Sequence, residues 1–113
     1  MKVSVGDIAD KWTILRMKVR LSEESKDEFR EYDNELGDNP VPLNLLADLI
    51  EANAKIWILE SEIRKGSELP LEEVGRRALM IRDLNKQRIE AKNRINELFG
   101  EHKEHKVNHA SGK

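Results

Sequence analysis

The sequence predicts an all-α fold, an antiparallel helical hairpin or a bundle of three to four helices completed by oligomerisation. Apolar residues recur at helical spacing along most of the chain. Charged residues make up 37% of the sequence and aromatics 4%, as suits long solvent-washed helices, while 38% hydrophobic content is too apolar for a disordered chain. Prolines and glycines gather in "GDNPVPL" and "GSELP", which cut the chain into helical segments. A chain of 113 residues forms one domain and buries roughly two-thirds of its unfolded surface, so its core is thin. We place that domain at residues 1–100 and a flexible His/Lys-rich tail at 101–113.

The first helix starts near Val5. Ser4 and Asp7 resemble a capping box with Asp in place of Glu, and the line Val5, Ile8, Trp12, Leu15, Val19 follows at helical spacing. The line lapses in "LSEESKDEF", where Ser25 and Glu28 offer a second capping box. A short helix carrying Phe29, Tyr32 and Leu36 is expected next, ended by Gly37 as a left-handed cap. The two prolines of "GDNPVPL" impose a loop, because each disfavours helical geometry in the residue before it. A long helix then spans about Leu43 to Lys65 and stops at Gly66. Pro70, Glu72 and Glu73 suit the start of the last helix, which continues to about Phe99 and stops at Gly100. Gly75 weakens it by up to about 1 kcal/mol relative to alanine.

Composition excludes several functions. There is no cysteine, hence no thiol nucleophile, thiolate metal site or disulfide. No apolar run approaches the roughly 20 residues of a membrane span, and the opening "MKVSVGDIAD" lacks the apolar core of a signal peptide. A soluble, cytoplasmic protein without membrane partners is expected. The net charge of −2 gives no general attraction to nucleic acid. Its distribution is uneven: Ser22 to Asp38 holds eight acidic and two basic residues, and Arg76 to Arg94 holds seven basic and two acidic. The expectation is neutralisation of one segment by the other, within the fold or across a dimer. In the tail, His102, His105 and His109 suit a transition metal by spacing, but no carboxylate or cysteine completes a tight site, so no metal or other cofactor is expected.

The long helix carries two lines. Leu45, Leu49, Ala52, Ile56, Leu59, Ile63 is apolar throughout and reads as the core seam. The other begins with Leu46 and Ile50 and then turns into Asn53, Trp57, Glu60, Arg64. The last helix changes in the same way, from Val74, Ala78, Ile81 to Asn85, Arg88, Lys92, before returning to Ile95 and Phe99. One reading is a buried network in which Glu60 or Asn53 pairs with Arg88 or Lys92 and fixes register. Stability alone is a weak reason to keep buried charges, since hydrophobic replacements are often neutral or stabilising. The functional reading is a cleft with Trp57 as its flat wall. Arg64, Arg82, Arg88 and Lys92 offer donors to phosphate or carboxylate, and Asn53 and Asn85 read amide or hydroxyl edges. A nucleotide or sugar nucleotide fits that set; Arg82 also suits a solvent-facing position.

"VSVGDIADKWTIL" (3–15) resembles the "VSVGELxDKLTIL" opening of an uncharacterised bacterial family of small helical proteins. "IWILESEIR" (56–64) resembles that family's "LWDIEDxIR", and "DLNKQRIEAKNRINELFG" (83–100) its "xxNDxRxxLKxxINxLLG". The matching positions are Asp10, Lys11, Thr13, Asn53, Trp57, Glu60, Arg64, Asn85, Arg88, Lys92 and Asn96. Residues 22–42 and the tail depart from the pattern. The resemblance implies the helical fold, the importance of the polar stripe and, because the family's genes often lie near sugar-transfer genes, a link to sugar nucleotides.

The preferred expectation is non-catalytic capture of a small anionic ligand, at an oligomer interface or within one chain, by Lys11, Asn53, Trp57, Glu60, Arg64, Asn85, Arg88 and Lys92. The alternatives are a homo-oligomeric structural or adaptor protein and a magnesium-dependent nucleotide pyrophosphohydrolase. The last would use carboxylates at three-residue spacing, Asp7 with Asp10 and Glu28 with Glu31.

Overall fold

The structure is a computed structural model that describes residues 3–65 and 68–101. Four helices pack against each other: α1 (Val5–Leu21), α2 (Lys26–Asp38), α3 (Leu43–Lys65) and α4 (Leu71–Leu98), with a 3-10 turn at Glu23–Ser25 between α1 and α2. No strand occurs among the described residues. α3 and α4 form an antiparallel hairpin, α1 lies along it in contact with both, and α2 packs on α1.

The N-terminus of α1 is joined to the C-terminus of α4. A helix leaves its first N–H groups without intrahelical acceptors, and here three consecutive ones are satisfied by side chains. Val5 N–H donates to Glu101 Oε1 at 2.7 Å, Gly6 N–H to Asn96 Oδ1 at 2.7 Å, and Asp7 N–H to Ser4 Oγ at 3.1 Å. Ser4 is thus the expected cap, while the other two acceptors come from the far end of the chain. Gly100 adopts φ 70°, and the Glu101 N–H returns to the Asn96 carbonyl at 2.7 Å while the Gly100 N–H reaches Glu97 at 3.1 Å. This is a Schellman turn, and it carries Glu101 to the start of α1.

The core occupies this end of the molecule. Val5, Ala9, Leu45, Leu49, Ala91 and Ile95 form one buried cluster, with Leu36, Val41, Leu46 and Phe99 packed against it. The seam expected along α3 is buried at Leu45, Leu49, Ala52 and Ile56, but Leu59 and Ile63 are only half-buried. From residue 57 of α3 to residue 90 of α4, no described residue is buried. The hairpin is therefore well covered at its base and poorly covered towards its tip.

Two expected caps are corrected. Gly37 does not end α2 in a left-handed conformation: the helix runs on to Asp38, and among the described residues only Gly100 has a positive φ. Pro40 explains the stop, since it disfavours helical geometry at Asn39, which sits at φ −131° and ψ 74°. Ser25 makes no side-chain capping bond; Ser22 takes that role one turn earlier, its Oγ accepting from the Glu24 N–H at 3.1 Å. The stop expected at Gly66 and the histidines 102, 105 and 109 lie outside the described residues.

The acidic segment meets α1 rather than the basic helix. α2 docks through Trp12, whose ring centroid lies 5.9 Å from that of Phe29 and whose Nε1 donates to Asp33 Oδ1 at 2.9 Å. Trp12 is half-buried in this contact, and Phe29, Tyr32 and Leu36 form the half-buried face of α2.

Candidate functional site

The inner half of the polar stripe faces α1. Asn53, one of the few buried polar residues, donates through Nδ2 to Asp10 Oδ1 at 2.9 Å and to Thr13 Oγ1 at 2.7 Å. The Thr13 hydroxyl donates in turn to the Asp10 carbonyl at 2.7 Å. On α4, Arg88 Nη1 lies 3.8 Å from Asp10 Oδ2, and Lys92 Nζ lies 2.9 Å from Asp7 Oδ1. Helical spacing explains the grouping. Asp7 and Asp10 stand one turn apart on α1, as Arg88 and Lys92 do on α4, so two carboxylates meet two cations along one seam.

The expected pairing of Asn53 or Glu60 with Arg88 or Lys92 across the hairpin is replaced by pairing through α1. Periodicity marks Asn53, Arg88 and Lys92 as unusual for a buried line but does not say which helix answers them. Asp10 and Thr13 are visible from the sequence as motif residues. Gly6 and the pairing of the exposed Asp7 with Lys92 were not singled out.

The outer half of the stripe lies apart. Trp57 and Asn85 are half-buried, Glu60 and Arg64 are exposed, and Arg64 donates to Ser61 Oγ at 3.3 Å. At a helical rise of about 1.5 Å per residue, Arg64 stands about 16 Å further along α3 than Asn53. Lys11 points to the other side of α1, 3.8 Å from Glu28 of α2. Arg82 is exposed, with Nη2 3.5 Å from Asp83 Oδ1. The eight residues expected to line one cleft therefore fall into an inner group of Asn53, Arg88 and Lys92, an outer group of Trp57, Glu60, Arg64 and Asn85, and a separate Lys11.

Within the inner group Arg88 has unused capacity. Its Nε is buried and has no hydrogen-bond acceptor among the described residues, although the side chain is 28% exposed and so reaches solvent at one edge. Buried donors are nearly always paired.

Two of the concavities among the described residues lie away from this seam. One of about 540 Å³, with Val3, Val5 and Ile8 on one wall and Glu31, Tyr32 and Glu35 on the other, opens between α1 and α2. A second, of about 410 Å³, is an apolar groove between α3 and α4 walled by Ile58, Leu59, Met80 and Leu84. Near the hairpin tip Glu73 is held below the ordinary carboxylate range, first by its hydrogen bond from Arg76 and then by that from Arg77. Glu62 also accepts from Arg77 Nε at 2.8 Å and helps to raise the Arg77 pKa.

Among the described residues, no group of three or more histidine or acidic side chains is placed to hold a metal ion, and no helix is long and apolar enough to cross a membrane. Asp10 and Asp7 are engaged by the network and Glu28 lies near Lys11. What fold and site define is a small all-α bundle whose N-terminal helix is fixed to a hairpin by a polar seam. Compared with protein-family models, curated proteins and solved structures, the chain has no match.

Proposed function

We propose that the protein binds a small anionic ligand without transforming it, with Arg88 as the anchor. The observation that supports this is the buried Nε, without an acceptor among the described residues, of a guanidinium whose Nη1 meets Asp10 only at 3.8 Å. Arginine presents its donors as a planar fork that matches a carboxylate or phosphate edge. Such an edge would meet the guanidinium on its solvent-reaching side, the side chain being 28% exposed. Asn85, one turn before Arg88 on α4, suits a hydroxyl or amide edge, and the half-buried Trp57 suits a flat ring. A nucleotide or sugar nucleotide combines these parts.

The test is thermal melting and calorimetry with inorganic phosphate, nucleoside mono- and diphosphates and a nucleoside-diphosphate sugar. Saturable binding by at least one of these, weakened about tenfold or more in Arg88→Met with helicity unchanged, is the expected result. No saturable binding across the panel, or equal affinity in Arg88→Met, removes the reading.

A second reading, a homo-oligomeric adaptor, draws support from the exposed apolar groove. Ile58 is 55% and Met80 41% exposed at the poorly covered end of the hairpin.

A further inference from the structure

We infer that the face of the α3–α4 hairpin opposite α1 pairs with the same face of a second copy, in an antiparallel twofold arrangement centred on Ile58. The inference rests on the adaptor reading alone and is independent of ligand capture.

The face is turned away from α1 by helix geometry. At about 100° per residue, Lys55 and Ile58 lie roughly 200° and 140° around α3 from Asn53, which faces α1. The levels of the two helices are fixed by their contacts: Glu62 pairs with Arg77 at one end, Asp48 with Arg94 at the other, and Ile58 shares the groove with Met80 and Asp83. A twofold axis running across both helices at the level of Ile58 therefore crosses α4 near Asp83. It sets α3 against the partner's α3 and α4 against the partner's α4, each reversed in direction.

The charges on this face suit that operation. An isologous interface must complement itself. On α3 the exposed row reads Glu51, Lys55, Ile58, Glu62, Lys65. Reversal about Ile58 places Glu51 opposite Lys65 and brings Lys55 within one residue of the level of Glu62. On α4, reversal about Asp83 places Arg76 opposite Glu90 and brings Glu73 within one residue of the level of Arg94. Every one of these pairs is attractive. The unfavourable contact is Asp83 with its own copy at the axis. The other twofold arrangement, with the hairpins side by side in the same direction, sets Glu51 against Glu90, a repulsive pair, beside attractive ones at the levels of Glu62 with Arg77 and Asp48 with Arg94.

The area is adequate. From Glu73 to Arg94 α4 spans about 31 Å, and two packed helices are roughly 20 Å wide. The footprint is about 600 Å² per copy, at the lower end of specific interfaces. Its centre is apolar, with Ile58, Met80 and the groove between them, and its rim is charged, which is the usual anatomy of a protein interface. The pairing also covers the half of the hairpin that the fold leaves without buried residues.

Sedimentation equilibrium of the whole chain tests this. Wild type is expected to dimerise reversibly. Lys55→Glu should raise the dimer dissociation constant about tenfold or more, because the twofold doubles each changed contact. Adding Glu62→Lys should restore it to within about threefold, and Asp83→Asn should tighten it. Ile58→Asp should abolish the dimer with helicity unchanged. Ile58→Cys, in a chain without cysteine, should cross-link to its own copy on oxidation.

A wild type that stays monomeric overturns both the inference and the adaptor reading. An oligomer indifferent to Ile58→Asp overturns the inference and leaves the adaptor reading standing. A dimer in which Lys55→Glu is not rescued by Glu62→Lys, or in which Ile58→Cys fails to cross-link, overturns the antiparallel arrangement.

Discussion

The backbone of Gly6 lies directly against Asn96. Gly6 N–H donates to Asn96 Oδ1 at 2.7 Å, and a Cβ added at Gly6 would stand 2.7 Å from that same oxygen and 2.7 Å from the Lys92 carbonyl. Since one obstruction is backbone, a side chain at position 6 forces α1 and α4 apart. Gly6→Ala should lower the unfolding free energy by about 2 kcal/mol or more, measured by urea denaturation. Gly75→Ala, where an added Cβ meets nothing within 4 Å among the described residues, should stabilise by up to about 1 kcal/mol. Equal effects of the two would show that α1 does not approach α4 as closely as described.

The bonds from Asn53 to Asp10 and Thr13 act as a unit. Removing the Asn53 amide strips Asp10 Oδ1 and Thr13 Oγ1 of a buried donor, and a stranded buried polar group costs about 1–3 kcal/mol. Asn53→Ala and Asp10→Ala should each destabilise on that scale, and the double variant should cost less than their sum by about 1 kcal/mol. Strict additivity in the double-mutant cycle would mean that the two side chains do not interact.

Much of this was legible in the sequence. Helical spacing and the proline and glycine clusters placed the helices, and Asn53, Arg88 and Lys92 stood out because polar groups replaced leucine-like positions on otherwise apolar lines. Their partners did not show. A helix's own periodicity records that a face is covered, not which helix covers it, so a hairpin pairing was expected where α1 supplies Asp7, Asp10 and Thr13. Gly6 was silent for a related reason: its lack of a side chain answers the backbone of Lys92, distant in sequence. Gly37 misled in the opposite direction, because Pro40 alone suffices to stop α2.

α2 should be the least protected helix. It holds no buried residue among those described, and it meets α1 through the Trp12 to Phe29 ring contact, the Trp12 to Asp33 bond and the exposed Lys11 to Glu28 ion pair. Local opening follows the amount of buried contact. Amides of α2 should exchange with solvent at least about tenfold faster than those near Leu15, Leu49 and Ile95, the large apolar side chains that are fully buried. Trp12→Phe should widen the difference. Uniform protection across the four helices would contradict this ranking.

Glu73 gives the fold a contact that is sensitive to acid. Its carboxylate accepts from Arg76 and Arg77, and those bonds hold its pKa below the ordinary value. A carboxyl whose folded pKa is depressed contributes stability above its unfolded pKa and loses it as pH falls through the folded one. The tie between the first turns of α4 and the end of α3, which runs from Glu73 through Arg77 to Glu62, should therefore persist through neutral pH. It should loosen only once acidification passes below the usual carboxylate range of about 4. NMR titration of the Glu73 side-chain carbon should give a midpoint below that of an unpaired glutamate, and Arg77→Gln should move it upward. Arg76→Gln should move it further, because the Arg76 bond is the larger cause of the shift. A midpoint at or above the ordinary value in the wild type would show that the two arginines do not hold the carboxylate in solution.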